Sequence, residues 1–126
     1  MDENEEKQQM REVYRFENDT AFEYFYEGMK ASLAGKTQNS IESFAHVVEL
    51  EPDNPVGYNF LVMSLEFDEN STEADRLKWV EQWVKVSEAY GNGTQIMRSN
   101  MVLKFYKSTP EERERWLKHG TKNATD

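Results

Sequence analysis

Two histidines and a few adjacent carboxylates are the side chains whose types most readily do chemistry here. His46 and His119 lie far apart, and neither has a second ligand at the short spacing that a zinc site uses. His119 is expected in the last turn of a helix, where a cation complements the helix dipole, so capping outweighs catalysis. Glu111-Glu112 and Asp68-Glu69 fall at a helix start and in a polar loop, where solvated carboxylates are routine. Gly91-Asn92-Gly93 lacks the following Lys-Ser/Thr that turns a glycine-rich loop into a phosphate cradle. The chain contains no cysteine, which removes thiolate metal ligands and disulfide frameworks together. The expectation is a chain that is not an enzyme, with no catalytic residue, no metal and no cofactor.

Composition narrows the remaining classes. A length of 126 residues suits one domain. Seven Phe, six Tyr and three Trp supply bulky core material. The net charge of −9 is uneven: residues 1–20 carry −4, residues 21–92 carry −8 and residues 93–126 carry +3. An acidic body argues against direct nucleic-acid binding, which needs Lys and Arg to displace counterions. The basic end (Arg98, Lys104, Lys107, Arg113, Arg115, Lys118, Lys122) reads as a solvated face or as a complement to an acidic surface, including that of a neighbouring copy. Met-Asp-Glu-Asn-Glu-Glu lacks the basic start and apolar run of a signal peptide. No apolar stretch reaches membrane-spanning length. A cytoplasmic protein without a membrane role is therefore expected. Four Asn-x-Ser/Thr sequons begin at Asn18, Asn70, Asn92 and Asn123, all where a loop or cap is expected, so turn chemistry accounts for them.

Hydrophobic spacing makes the chain all-α. Residues 1–19 form a polar, partly helical segment with Met10, Val13, Tyr14 and Phe16 appearing late. Thr20-Ala21-Phe22-Glu23 has the pattern of a capping box, and a helix is expected from there to about Ala34, closed by Gly35 in the left-handed conformation. A second helix spans about Gln38 to Leu50, stopped by Pro52, and Pro55 starts a third that runs to about Phe67. The fourth, about Thr72 to Tyr90, carries two apolar stripes, Leu77/Val80/Val84 and Trp79/Trp83/Val86/Tyr90, as a helix packed on both sides requires. A fifth is expected over about Gln95 to Lys107. Ser108-Thr109-Pro110-Glu111-Glu112 starts a short last helix, closed by Gly120, and 121–126 reads as a disordered tail.

Tyr24, Gly28, Phe44 and Pro52 stand at the spacing of a tetratricopeptide repeat, whose period is about 34 residues. The chain resembles that family over residues 20–120. Glu27, Ala31 and Ser40 depart from the pattern. A second unit begins with Tyr58 and Leu61 in register, but Val62 replaces the glycine and the loop at 68–73 is lengthened. The third unit is a remnant that ends in a polar capping helix. The resemblance implies a short right-handed solenoid of antiparallel helix pairs, about two units plus a capping pair.

It also implies a function. In that family the first helices of successive pairs line a concave groove that takes a partner peptide or helix. On helical spacing, this groove would present Phe22, Phe25 and Met29 from one helix and Val56, Asn59 and Met63 from the next. Such Phe and Met residues suit an apolar, helical partner. Two other fates stay open for the same residues: cover by the chain's own first segment around Met10, Val13 and Tyr14, or burial against a second copy in a homo-oligomer. A distinct alternative is an acidic inhibitor that mimics nucleic acid and fills a basic groove on a nucleic-acid-binding protein; its binding would collapse with salt.

Overall fold

The structure, a computed structural model, describes residues 2–118 in full and traces the last helix onward to Thr125. The expected stop at Gly120 is absent: the last helix continues through it to Thr125, a helix interior accepting a single glycine at a cost of about 1 kcal/mol. The expectations placed on His119, on the Asn123 sequon and on a tail over 121–126 lie outside the fully described residues. The elements are α1 (Glu3–Val13), α2 (Asp19–Leu33), α3 (Thr37–Leu50), α4 (Pro55–Glu66), α5 (Glu73–Tyr90), α6 (Gly93–Lys107) and α7 (Pro110–Thr125), with no strand among the described residues.

Local signals account for most of the boundaries. Pro55 opens α4 behind Asn54, whose side chain accepts from the Val56 N–H. Thr72 caps α5 through the Asp75 N–H. Gly35 leaves α2 at φ 74°, in the left-handed region that glycine enters without steric cost. Thr109 and Glu112 satisfy each other's backbone N–H groups at the start of α7. Two starts differ from the sequence expectation. Asn18, not Thr20, caps α2, accepting from the Ala21 N–H at 2.9 Å. At α6, Asn92 and Gln95 form a reciprocal capping box, so the helix starts at Gly93 rather than Gln95. In both cases an asparagine lies within reach of the N–H three residues on, and it competes well with any hydroxyl nearby.

Packing follows chain order, α2 on α3, α3 on α4, α4 on α5 and α5 on α6. The result is an all-α, solenoid-like stack of helix pairs. Two glycines bring backbones close enough to interlock. A Cβ on Gly28 would stand 2.7 Å from the Phe44 ring, and one on Gly57 would stand 2.9 Å from Val47 Cγ1. Phe25, Phe44, Leu61, Val47 and Val80 are fully buried along the stack. In α5, Val80, Trp83 and Val84 are buried while Leu77, Trp79 and Val86 are partly so, which matches a helix gripped from two sides. No helix among the described residues is long and apolar enough to cross a membrane.

Candidate docking face on the leading helices

Helices α2, α4 and α6 lie side by side and run parallel, with α3 and α5 between them in packing order. Three observations establish this. Near the starts of the helices, Tyr14, Asn54, Asn92 and Gln95 line one cleft of about 460 Å³. Near the ends, the Tyr106 hydroxyl donates to Glu66 Oε1 at 3.0 Å, tying α6 to α4. The rings of Phe25 in α2 and Phe60 in α4 meet edge to face at 5.0 Å midway. These three helices are called the leading helices below.

The chain's own first segment lies across the first two of them. Tyr14 meets Phe25 at 5.0 Å and Phe60 at 5.9 Å, both edge-on. Phe16 meets Phe25 at 4.9 Å and Phe22 at 5.7 Å. Edge-to-face aromatic pairs at these separations add attraction beyond the area they bury. Polar contacts fasten the connection between α1 and α2: Glu51 Oε1 accepts from the Glu17 N–H at 2.8 Å, and Asn54 Nδ2 donates to the Tyr14 carbonyl at 3.3 Å. Arg15, between the two rings, takes a φ of 59°. Helix α1 itself has no buried residue, so its hold comes from the partly buried Met10 and from Tyr14 and Phe16 beyond its end. Where α1 crosses α2, bases meet acids: Lys7 pairs with Glu23 at 3.4 Å, and Arg11 pairs with Asp19.

The six groove residues read from the sequence therefore fall into three environments. Phe22, Phe25 and Val56 are buried, Met29 and Asn59 are half-buried, and Met63 is exposed. Of the segment expected to cover them, Met10 and Tyr14 do pack there, whereas Val13 is 72% exposed and Phe16 takes the buried place. Val13 ends α1 on its exposed side, and the chain turns back at Arg15 to bring Phe16 into the stack. Phe60 was missed from the sequence, although its place four residues past Val56 and three before Met63, on one helical face, was the available signal. Gly57 was missed as well, masked by the register that assigns the close approach to position 62.

Beyond α1 the leading layer is open. Met63 and Phe67 at the end of α4 and Met97 and Met101 on α6 are exposed, Phe67 at 76% and Met101 at 63%. Met97, Met101 and Phe105 recur every four residues on the face of α6 opposite the partly or wholly buried Ser99, Val102 and Tyr106. Among the described residues, α7 meets α6 at residues 104–106. Arg113 donates to the carbonyls of Phe105 and Tyr106, both at 2.9 Å, and to the Glu73 carboxylate. That hydrogen bond holds the Glu73 carboxyl below the ordinary glutamate range. Burial pushes the Tyr106 hydroxyl above the usual tyrosine range, against the hydrogen bond that Arg76 donates to it.

The groups singled out for chemistry are apart from this face. His46 is half-exposed, stacks on Tyr24 at 4.5 Å and sits 3.6 Å from Glu49. No group of three or more His, Cys, Asp or Glu side chains among the described residues is arranged to hold a metal. Comparison of the chain with protein-family models, with curated proteins and with solved structures finds no match.

Proposed function

We propose that this chain is a non-enzymatic protein-interaction module of tetratricopeptide-like build, which holds a helical segment of another protein against its leading helices. The observation that carries the reading is the seat of the first segment: the chain lays Tyr14 and Phe16, just beyond α1, over α2 and α4, with Tyr14 on Phe25 and Phe60. A surface that receives one amphipathic segment intramolecularly has the shape and apolarity to receive another where it continues uncovered. Exposed Met63, Phe67, Met97 and Met101 supply that continuation, and methionine adapts to irregular partners.

Site-specific photocrosslinking tests the reading. A photoreactive residue at position 63 or 101 of the full chain, in cells that express it, should capture helical segments of a partner. One at Glu42, exposed on α3, should not. Capture should survive high salt, because apolar burial carries the contact. Equal capture from all three positions, or capture abolished by salt, would contradict it and favour an acidic surface as the binding element.

A further inference from the structure

The uncovered half of the leading layer differs from the covered half in charge. Where α1 sits, the rim is acidic: Asp19 and Glu23 on α2 meet Arg11 and Lys7 of the occupant. Helix α6 has the opposite character. Between Gly93 and Lys107 it carries Arg98, Lys104 and Lys107 and no acidic residue at all. By helical spacing Lys104 lies at one edge of the exposed stripe, on the Met97 side, and Arg98 lies at the other edge, on the Phe105 side. Lys104 stands 5.2 Å from the Trp116 ring, a contact that keeps its positive charge.

We infer that the Met97–Met101–Phe105 face of α6 docks an amphipathic helix of another protein whose apolar stripe is flanked by Asp and Glu. The inference rests on the reading of the leading layer as a helix-holding surface and adds the chemistry of the occupant. It follows the rule the chain applies to itself. The first segment lays Tyr14 on Phe25 and Phe60 and places Lys7 and Arg11 on Glu23 and Asp19 of α2; on α6 the flanking charges are basic, so the matching occupant carries acids there. A second copy seated on this face through its own α6 would bring like charges together, which disfavours a symmetric seam.

Two fluorescent peptides with the same leucine stripe, one flanked by Glu and one by Lys, test this against the full chain. The Glu-flanked peptide should bind about tenfold more tightly, the combined effect of three exposed ion pairs. In the spectrum of methyl-labelled methionine it should shift Met97 and Met101 and leave Met10 and Met29 in place. Met101→Asp should abolish binding. Lys104→Glu should reduce the preference for the Glu-flanked peptide and strengthen binding of the Lys-flanked one, an exchange that misfolding cannot produce. Preference for the Lys-flanked peptide, or no binding of either, overturns the inference. Binding that moves Met10 and Met29 but not Met97 overturns it too, while leaving the broader function intact. Self-association of the chain that Met97→Asp abolishes would overturn it in favour of a second copy.

Discussion

The Tyr14 ring stands edge-on to the Phe25 ring, centroid to centroid 5.0 Å, over a side chain wholly withdrawn from water. This pair joins the first segment to the stack. Phe25 also meets Phe16, Phe22, Phe44 and Phe60, so it is the common member of an aromatic cluster drawn from α1's end, α2, α3 and α4. Phe25→Ala should therefore destabilise the chain by about 3–5 kcal/mol, because rings held on several sides cannot collapse into the space. Tyr14→Ala should cost less globally. Its signature should be local, with amide exchange across residues 3–13 accelerating while α3 to α5 keep their protection. Equal acceleration throughout would show that α1 is part of the global folding unit.

The close approaches at Gly28 and Gly57 make a second prediction. A methyl at Gly28 enters the Phe44 ring, which Phe25 and Phe60 confine from other sides. Gly28→Ala should destabilise by about 1–3 kcal/mol despite alanine's better helix propensity. Gly57→Ala should act likewise through Val47. Chemical denaturation is the check, and an increase in stability for either variant would contradict the packing described.

Arg15 and Gly35 form a matched pair of backbone tests. Both have positive φ, but only one is a glycine. Gly35→Ala should lose about 1 kcal/mol, because the left-handed conformation crowds a Cβ. Arg15→Gly should gain stability by somewhat less than that, since glycine gives back unfolded-state entropy. A loss in the second variant would mean that Arg15's side chain contributes more than its backbone strain removes.

The attachment of α7 should respond to acid. Glu73 is more acidic in the folded chain, through its hydrogen bond from Arg113, than when unfolded. Its contribution is thus complete above the ordinary glutamate pKa of about 4.3 and disappears as pH falls through the lowered folded value. Amide exchange in residues 110–118 should accelerate over that interval ahead of the rest of the chain. Glu73→Gln should show the loosened state already at neutral pH and lose the acid step. An unchanged acid step in that variant would assign the effect to another group.

The helices were legible in the sequence because their punctuation is strong. Pro55, Gly35 and Thr109-Pro110 each act through a local backbone constraint that needs no tertiary information. The starts at Asn18 and Asn92 were less legible, since an asparagine and a hydroxyl or glutamine a few residues on present equally good caps, and only geometry chooses between them. The apolar face of α2 and α4 was legible as a face, through the helical spacing of Phe22, Phe25 and Met29. Its cover was only half legible: Met10 and Tyr14 could be named, but the turn at Arg15 that brings Phe16 into the stack has no sequence signature, because arginine rarely adopts that conformation. Helix α6 was legible as a helix over about Gln95 to Lys107. Its separation into a packed face and an open one depends on where α5 and α7 lie, which spacing alone does not specify.

The division of the leading layer into a sealed half and an open half can be measured on the free protein through its methionine methyl groups. Met10 and Met29 are partly buried against the core, and Met63, Met97 and Met101 are exposed. With a soluble paramagnetic agent added, the account predicts strong bleaching of Met63, Met97 and Met101 and persistence of Met10 and Met29. Comparable bleaching of Met10 and Met29, or protection of Met97 and Met101, would contradict it.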